Sequence, residues 1–163
     1  MSAGERLTEA LVGTWRLQSF EVRSDDGTVT RPFGEEVFGA LIYTAEAAVS
    51  AQVMRGDRPY VAAGDPQACT PDEAFASFRG CVSYYGAFET DPEGGYVVHH
   101  IRRSLFRNWE GQAHKRFVRL DGEQLTLSTP PTLFGGTSIV GVLQWQKVSN
   151  RLECIIAASQ ESS

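Results

Sequence analysis

Lys115-Arg116-Phe117-Val118-Arg119-Leu120-Asp121-Gly122-Glu123-Gln124-Leu125-Thr126-Leu127-Ser128 is the stretch on which the fold class turns. Lys115 to Leu120 and Gln124 to Ser128 are short segments carrying Phe, Val, Thr and Leu, residue types that fit a pleated, half-buried surface. Between them sits Asp121-Gly122. Glycine accepts positive φ without a steric penalty and aspartate bonds back to its own main chain, so the pair reverses an extended strand tightly. This is the cleanest β-hairpin in the chain.

The same grammar extends in both directions. Phe38 to Tyr43 and Ala48 to Met54 read as a hairpin around Thr44-Ala45-Glu46, and Val82 to Glu89 with Tyr96 to Ser104 as another around Asp91-Pro92-Glu93-Gly94-Gly95. Thr14 to Arg23 alternates, with Trp15, Leu17, Ser19 and Glu21 on one side and Arg16, Gln18, Phe20 and Val22 on the other. The turn signal Asp25-Asp26-Gly27 follows it. Ile139 to Val148 closes the series after the Pro130-Pro131 and Gly135-Gly136 breaks. One helix stands out. Thr70-Pro71-Asp72-Glu73 supplies an N-cap, a proline at the first helical position and an acidic third position, which predicts a short helix near 71–81. A single further helical turn is expected at Thr8 to Val12. Short strands joined mainly by hairpins mean a mainly β fold, an antiparallel sandwich or barrel.

The chain has 163 residues, enough for one domain spanning 1–163. Its 15 basic and 20 acidic side chains give a net charge of −5, which argues against a nucleic-acid partner. No apolar run approaches the ~20 residues of a membrane-spanning helix, and Met1 to Arg6 lacks the apolar core of a secretion signal. Cys69, Cys81 and Cys154 are odd in number and not paired in spacing, so the expectation is a cytoplasmic protein with reduced thiols and no disulfide framework. With three histidines and no C-x-x-C, no metal site is expected. The glycine pairs are not followed by Lys-Ser/Thr, no G-x-S-x-G elbow occurs and βαβ alternation is missing, so no cofactor is expected either.

Gly13-Thr14-Trp15 resembles the Gly-x-Trp signature of the lipocalin and fatty-acid-binding barrels. A wider set of segments is similar to the lipocalin-like domain family of small bacterial and fungal proteins. It comprises Pro32-Phe33-Gly34, Leu41-Ile42-Tyr43-Thr44, Ser50 to Arg55, Asp57-Arg58-Pro59, Tyr84 to Glu89, His99-His100, Ser104-Leu105-Phe106, Asn108-Trp109 and Leu125 to Pro131. The resemblance covers about 11–148 and departs at Arg103 and Arg107, where an apolar residue and a proline are usual. It implies a lipocalin-like antiparallel β-barrel of about 8–10 strands around a ligand. It also implies that Trp15 plugs the closed end under a basic residue, with Lys147 the natural match and Arg116 the second, a cation–π contact worth about 1 kcal/mol.

Adjacent strand residues face opposite sides, so His99 and His100 cannot both enter one cavity, and the same holds for Tyr84 and Tyr85 and for Arg102 and Arg103. Parity groups Arg103 with Val97, His99 and Ile101 as the inward choice. Tyr85, His99 and Arg103 are the candidate catalytic donors. Tyr43, Tyr84, Phe88, Trp109, Arg116 and Met54 are the candidate ligand-binding residues, the aromatics offering a flat wall with a polar tip. The expected partner is a hydrophobic, polyketide-like small molecule. The leading expectation is its cofactor-free cyclisation or isomerisation by confinement and hydrogen bonding. The alternative is a non-catalytic carrier of a small hydrophobic ligand, and a filled interior would make the chain a structural protein. Exposed strand edges would let two barrels pair as a homodimer. Asn150 to Ser163 falls outside the resemblance, with Leu152 to Ala158 apolar enough for an added strand.

Overall fold

A computed structural model describes residues 2–134 and 136–149; the added strand expected at 152–158 lies outside the described residues. Among the described residues ten strands form one antiparallel sheet. They are β1 (Gly13–Ser24), β2 (Val29–Thr30), β3 (Val37–Tyr43), β4 (Ala48–Arg55), β5 (Cys81–Asp91), β6 (Tyr96–Ser104), β7 (Ala113–Asp121), β8 (Gln124–Ser128), β9 (Thr132–Phe134) and β10 (Thr137–Lys147). β10 returns to pair with β1, closing an eight-stranded barrel in the order β1-β3-β4-β5-β6-β7-β8-β10, while the short β2 and β9 extend its rim. Closure leaves no free edge in the main ladder. The opening hairpin stands as read: Asp121 pairs with Gln124, and Gly122 has φ +58°.

Two α-helices flank the barrel, where the sequence pattern predicts one helix and a turn. α2 (Pro71–Arg79) has the expected capping box, with the Thr70 and Glu73 side chains bonding each other's backbone N–H, and it stops two residues early because Gly80 takes the C-cap. α1 (Ala3–Leu11) is longer than the turn at Thr8 to Val12, because Ser2 and Glu5 form a second capping box. α1 seals one end of the barrel. Leu11 is fully buried, its carbonyl accepts a hydrogen bond from Trp15 Nε1 at 2.8 Å, and Lys147 Nζ sits 5.1 Å from the Trp15 ring while donating to the Ala10 carbonyl. Lys147, rather than Arg116, is therefore the lid over the tryptophan.

Two β-bulges decide which side chains reach the interior. In β1 the register against β10 slips between Leu17 and Ser19, so Gln18 is the extra residue and stands exposed. Trp15 and Leu17 face inward before the slip and Phe20 faces inward after it, which merges the two sides of the alternating pattern. In β6, Tyr85 pairs with Arg103 but Gly86 pairs with Ile101, so Arg102 is extra. A bulge reverses the facing of everything beyond it. Gly86 is needed there: a Cβ would lie 1.9 Å from the His100 carbonyl oxygen. Trp15, Tyr43, Val49, Phe88, Val97 and Leu125 pack the half of the barrel near α1.

Candidate functional site

Farther from α1 the packing gives way to a cavity of about 220 Å³. Its wall is mostly apolar, with Phe20, Leu41, Val53, Val82, Leu127 and Leu143 contributed by six different strands. Convergent on it, among the described residues, are six side chains with polar atoms: Tyr84, His99, Trp109, Arg116, Thr129 and Trp145. The volume is below the roughly 300–1,000 Å³ of a pocket for a drug-sized ligand and suits a single substituted ring.

His99 is the centre of the polar wall. It is 1% exposed, and each ring nitrogen holds a tyrosine: Nε2 lies 2.7 Å from the Tyr43 hydroxyl and Nδ1 lies 2.8 Å from the Tyr84 hydroxyl. Burial, aided by the positive field of Arg116, pushes its pKa down to about 3, so the ring is neutral at ordinary pH. Burial also raises both tyrosine pKa values, so both phenols stay protonated. Behind this relay Tyr43 stacks edge-on against Phe88 at 4.7 Å between centroids. In front of it Trp109, on a 3-10 turn at Arg107–Trp109, packs edge-on against Tyr84 and His114.

Arg116 projects from β7 into the cavity wall. It donates to the Lys115 carbonyl at 2.8 Å and approaches His114 Nδ1 at 3.4 Å, and no carboxylate pairs with it among the described residues. Trp145 is 2% exposed and its Nε1–H has no hydrogen-bond partner among the described residues. Thr129 Oγ1 accepts the Gly141 amide at 2.9 Å, which leaves its own hydroxyl hydrogen free to donate.

The expected site residues fall into three groups. His99, Tyr84, Trp109 and Arg116 line the cavity together. Tyr43 and Phe88 are buried one layer behind it, in the packed half. Tyr85, Arg103 and Met54 face away from it. Tyr85 is 50% exposed because its neighbour Tyr84 takes the inward direction. Arg103 is turned outward by the bulge at Arg102 and lies 3.6 Å from Glu110 on the surface. Met54 shares the outer side of β4 with Ser50 and Gln52, and its sulfur receives the Arg58 guanidinium. His100 likewise faces out and pairs with Glu89 at 3.0 Å. Trp145, Thr129 and Phe20 were not anticipated. The signal for Trp145 lay in its two-residue spacing from Leu143 on the last strand; Phe20 was hidden by the slip at Gln18. Among the described residues no group of three or more His, Cys, Asp or Glu converges as a metal site, and no helix is long and apolar enough to cross a membrane.

A family model described as a lipocalin-like domain matches residues 12–148. A protein of Aspergillus oryzae named as a 4'-hydroxy-3'-methoxypropiophenone carrier protein is 30% identical over 107 residues, covering 61% of this chain and 96% of that relative.

Proposed function

Since the chain belongs to the family of lipocalin-like domains, we propose that it encloses one small hydrophobic molecule, of the size of a substituted aromatic ring, and carries it unchanged. The observation that supports this reading most is the cavity itself: apolar on most of its wall, with a few polar groups gathered on the remainder. The relative's printed role as a carrier of an aryl ketone points to the same size and chemistry of guest.

Catalysis by cyclisation, the expectation put first from the sequence, draws less support. Of its three donors, Tyr85 and Arg103 stand outside the barrel, and both nitrogens of His99 are engaged by tyrosines. A general acid or base must reach the reacting atom, and among the described residues no cavity-lining side chain is a carboxylate. The small volume also suits a ring better than a folded polyene.

Tryptophan fluorescence is a direct probe, because Trp109 and Trp145 line the cavity. Titration with 4'-hydroxy-3'-methoxypropiophenone should quench it with one-to-one stoichiometry, and chromatography should return the compound unaltered. Val53→Trp, which fills the cavity, should abolish the response. Absence of saturable binding by the unaltered protein would refute the proposal; conversion of the bound compound, or of a linear polyene precursor above its uncatalysed control, would return the case to an enzyme.

A further inference from the structure

The unused polar capacity of the cavity wall is weighted toward donors. Trp145 Nε1–H can only donate, and it is buried beside the cavity without a partner. A buried donor left unpaired is costly, and Trp145 is among the residues that line the cavity, so its partner is sought in a guest held there.

The Tyr43–His99–Tyr84 relay supplies the second donor. A neutral imidazole offers one N–H and one lone pair, so one tyrosine gives a proton to the ring and the other receives one. Tyr43 is 1% exposed and His99 is its sole hydrogen-bond partner among the described residues. Were Nε2–H to donate to the Tyr43 oxygen, the Tyr43 hydroxyl hydrogen would be stranded in the core. The satisfied arrangement runs the other way: Tyr43 O–H donates to Nε2, and Nδ1–H donates to the Tyr84 oxygen. That leaves the Tyr84 hydroxyl hydrogen unspent, on a residue that lines the cavity. Arg116 and Thr129 add donors, and among the described residues the lining holds no Asp, Glu, Asn or Gln to act as an acceptor.

We infer that the guest presents an oxygen acceptor, a ketone or quinone carbonyl, to Tyr84 O–H and Trp145 Nε1–H, with His99 and Tyr43 as positioning residues that aim the Tyr84 hydrogen. This rests on the cavity being the binding site, and it adds a selectivity that size and hydrophobicity alone do not give. Hydrocarbons forgo the donors, and an alcohol, whose own hydrogen finds side-chain acceptors only in the Tyr84 and Thr129 hydroxyl oxygens, matches the wall less well than a carbonyl.

A matched set of probes tests it: propiophenone, 1-phenylpropan-1-ol and n-propylbenzene, each titrated into the full chain. Propiophenone should bind tightest. Tyr84→Phe and Trp145→Phe should each weaken it by roughly 3- to 10-fold relative to n-propylbenzene, the loss of one neutral hydrogen bond. Retained n-propylbenzene binding also shows that the variants are folded. The infrared carbonyl band of bound propiophenone should lie at lower frequency than in hydrocarbon solvent, and should move back in Tyr84→Phe. It should shift partly in Tyr43→Phe, whose ring lies behind the cavity wall. Equal affinity for ketone and hydrocarbon, or a carbonyl band indifferent to Tyr84→Phe and Trp145→Phe, overturns the inference and leaves the carrier reading intact. Failure of all three probes to bind overturns both.

Discussion

Acidification should destabilise this protein through His99 before its carboxylates titrate. In the folded chain the ring is buried between two tyrosines with a pKa of about 3, against 6.5 for an ordinary histidine. The folded pKa is depressed, so between these values the unfolded state binds the proton that the folded state refuses. Stability is then present in full above pH 6.5 and is lost as pH falls toward 3. Each pH unit inside the window is worth up to about 1.4 kcal/mol. By pH 5 the loss from this one group reaches about 2 kcal/mol, and across the whole gap about 5 kcal/mol, comparable to the total stability of a small domain. Carboxylates with lowered pKa values, such as Glu21, Asp57 and Asp91, titrate below 4.5 and leave the upper window clean. His114 is depressed in the same direction by partial burial and by Arg116, so it must be held constant. Urea unfolding of the unaltered protein and of His99→Gln, each at pH 7.5 and pH 5.0, does so. The unaltered protein should lose about 2 kcal/mol more than the variant across that interval. Equal losses would refute the reasoning, as would a His99 Cε1–H resonance titrating near 6.5 in the folded chain.

Other expectations follow from the same coordinates. Lys147→Met removes the cation over Trp15 and the bond to the Ala10 carbonyl, and should cost about 1–2 kcal/mol in chemical denaturation. Gly86→Ala forces a methyl group to 1.9 Å from the His100 carbonyl oxygen at the bulge, so it should destabilise by about 1–3 kcal/mol or more, read as a lower thermal midpoint by circular dichroism. Tyr85→Phe and Arg103→Ala, both on the outer surface, should leave fluorescence titrations with the ketone unchanged; a clear loss of affinity would place the site elsewhere.

Local chemistry made the frame readable. Asp121-Gly122 and Thr70-Pro71-Asp72-Glu73 specify their turn and helix start from a few adjacent residues, and the structure has both where the sequence puts them. The direction of side chains was readable only up to the first irregularity. Parity along β6 correctly groups Val97, His99 and Ile101 inside, then fails at Arg103, because whether Arg102 is squeezed out depends on how β5 and β6 register around Gly86. That is a tertiary event with no marker in β6 itself. The slip at Gln18 is the mirror case, admitting Phe20 to the wall where strict alternation would have kept it out. Together the two bulges set the charge of the interior: one keeps Arg103 outside, and Arg116 remains the arginine of the cavity wall.

Trp15 and Trp145 carry the separation between scaffold and site. They lie on neighbouring strands, Trp15 paired with Lys147 and Trp145 with Leu17, and both are almost wholly buried. By residue type, strand position and burial they are indistinguishable, and each would be counted as core. Their indole nitrogens separate them: Trp15 gives its hydrogen to the Leu11 carbonyl of the sealing helix, whereas Trp145 has no partner to give its own. A satisfied donor at the plugged end stabilises the fold by itself. An unsatisfied one beside an apolar cavity lowers stability until something with an acceptor arrives, so a guest gives it a role that packing does not. Trp145→Phe separates the two accounts: a pure packing residue would weaken ketone and hydrocarbon binding alike, whereas a donor to the guest should weaken the ketone complex more than the hydrocarbon complex.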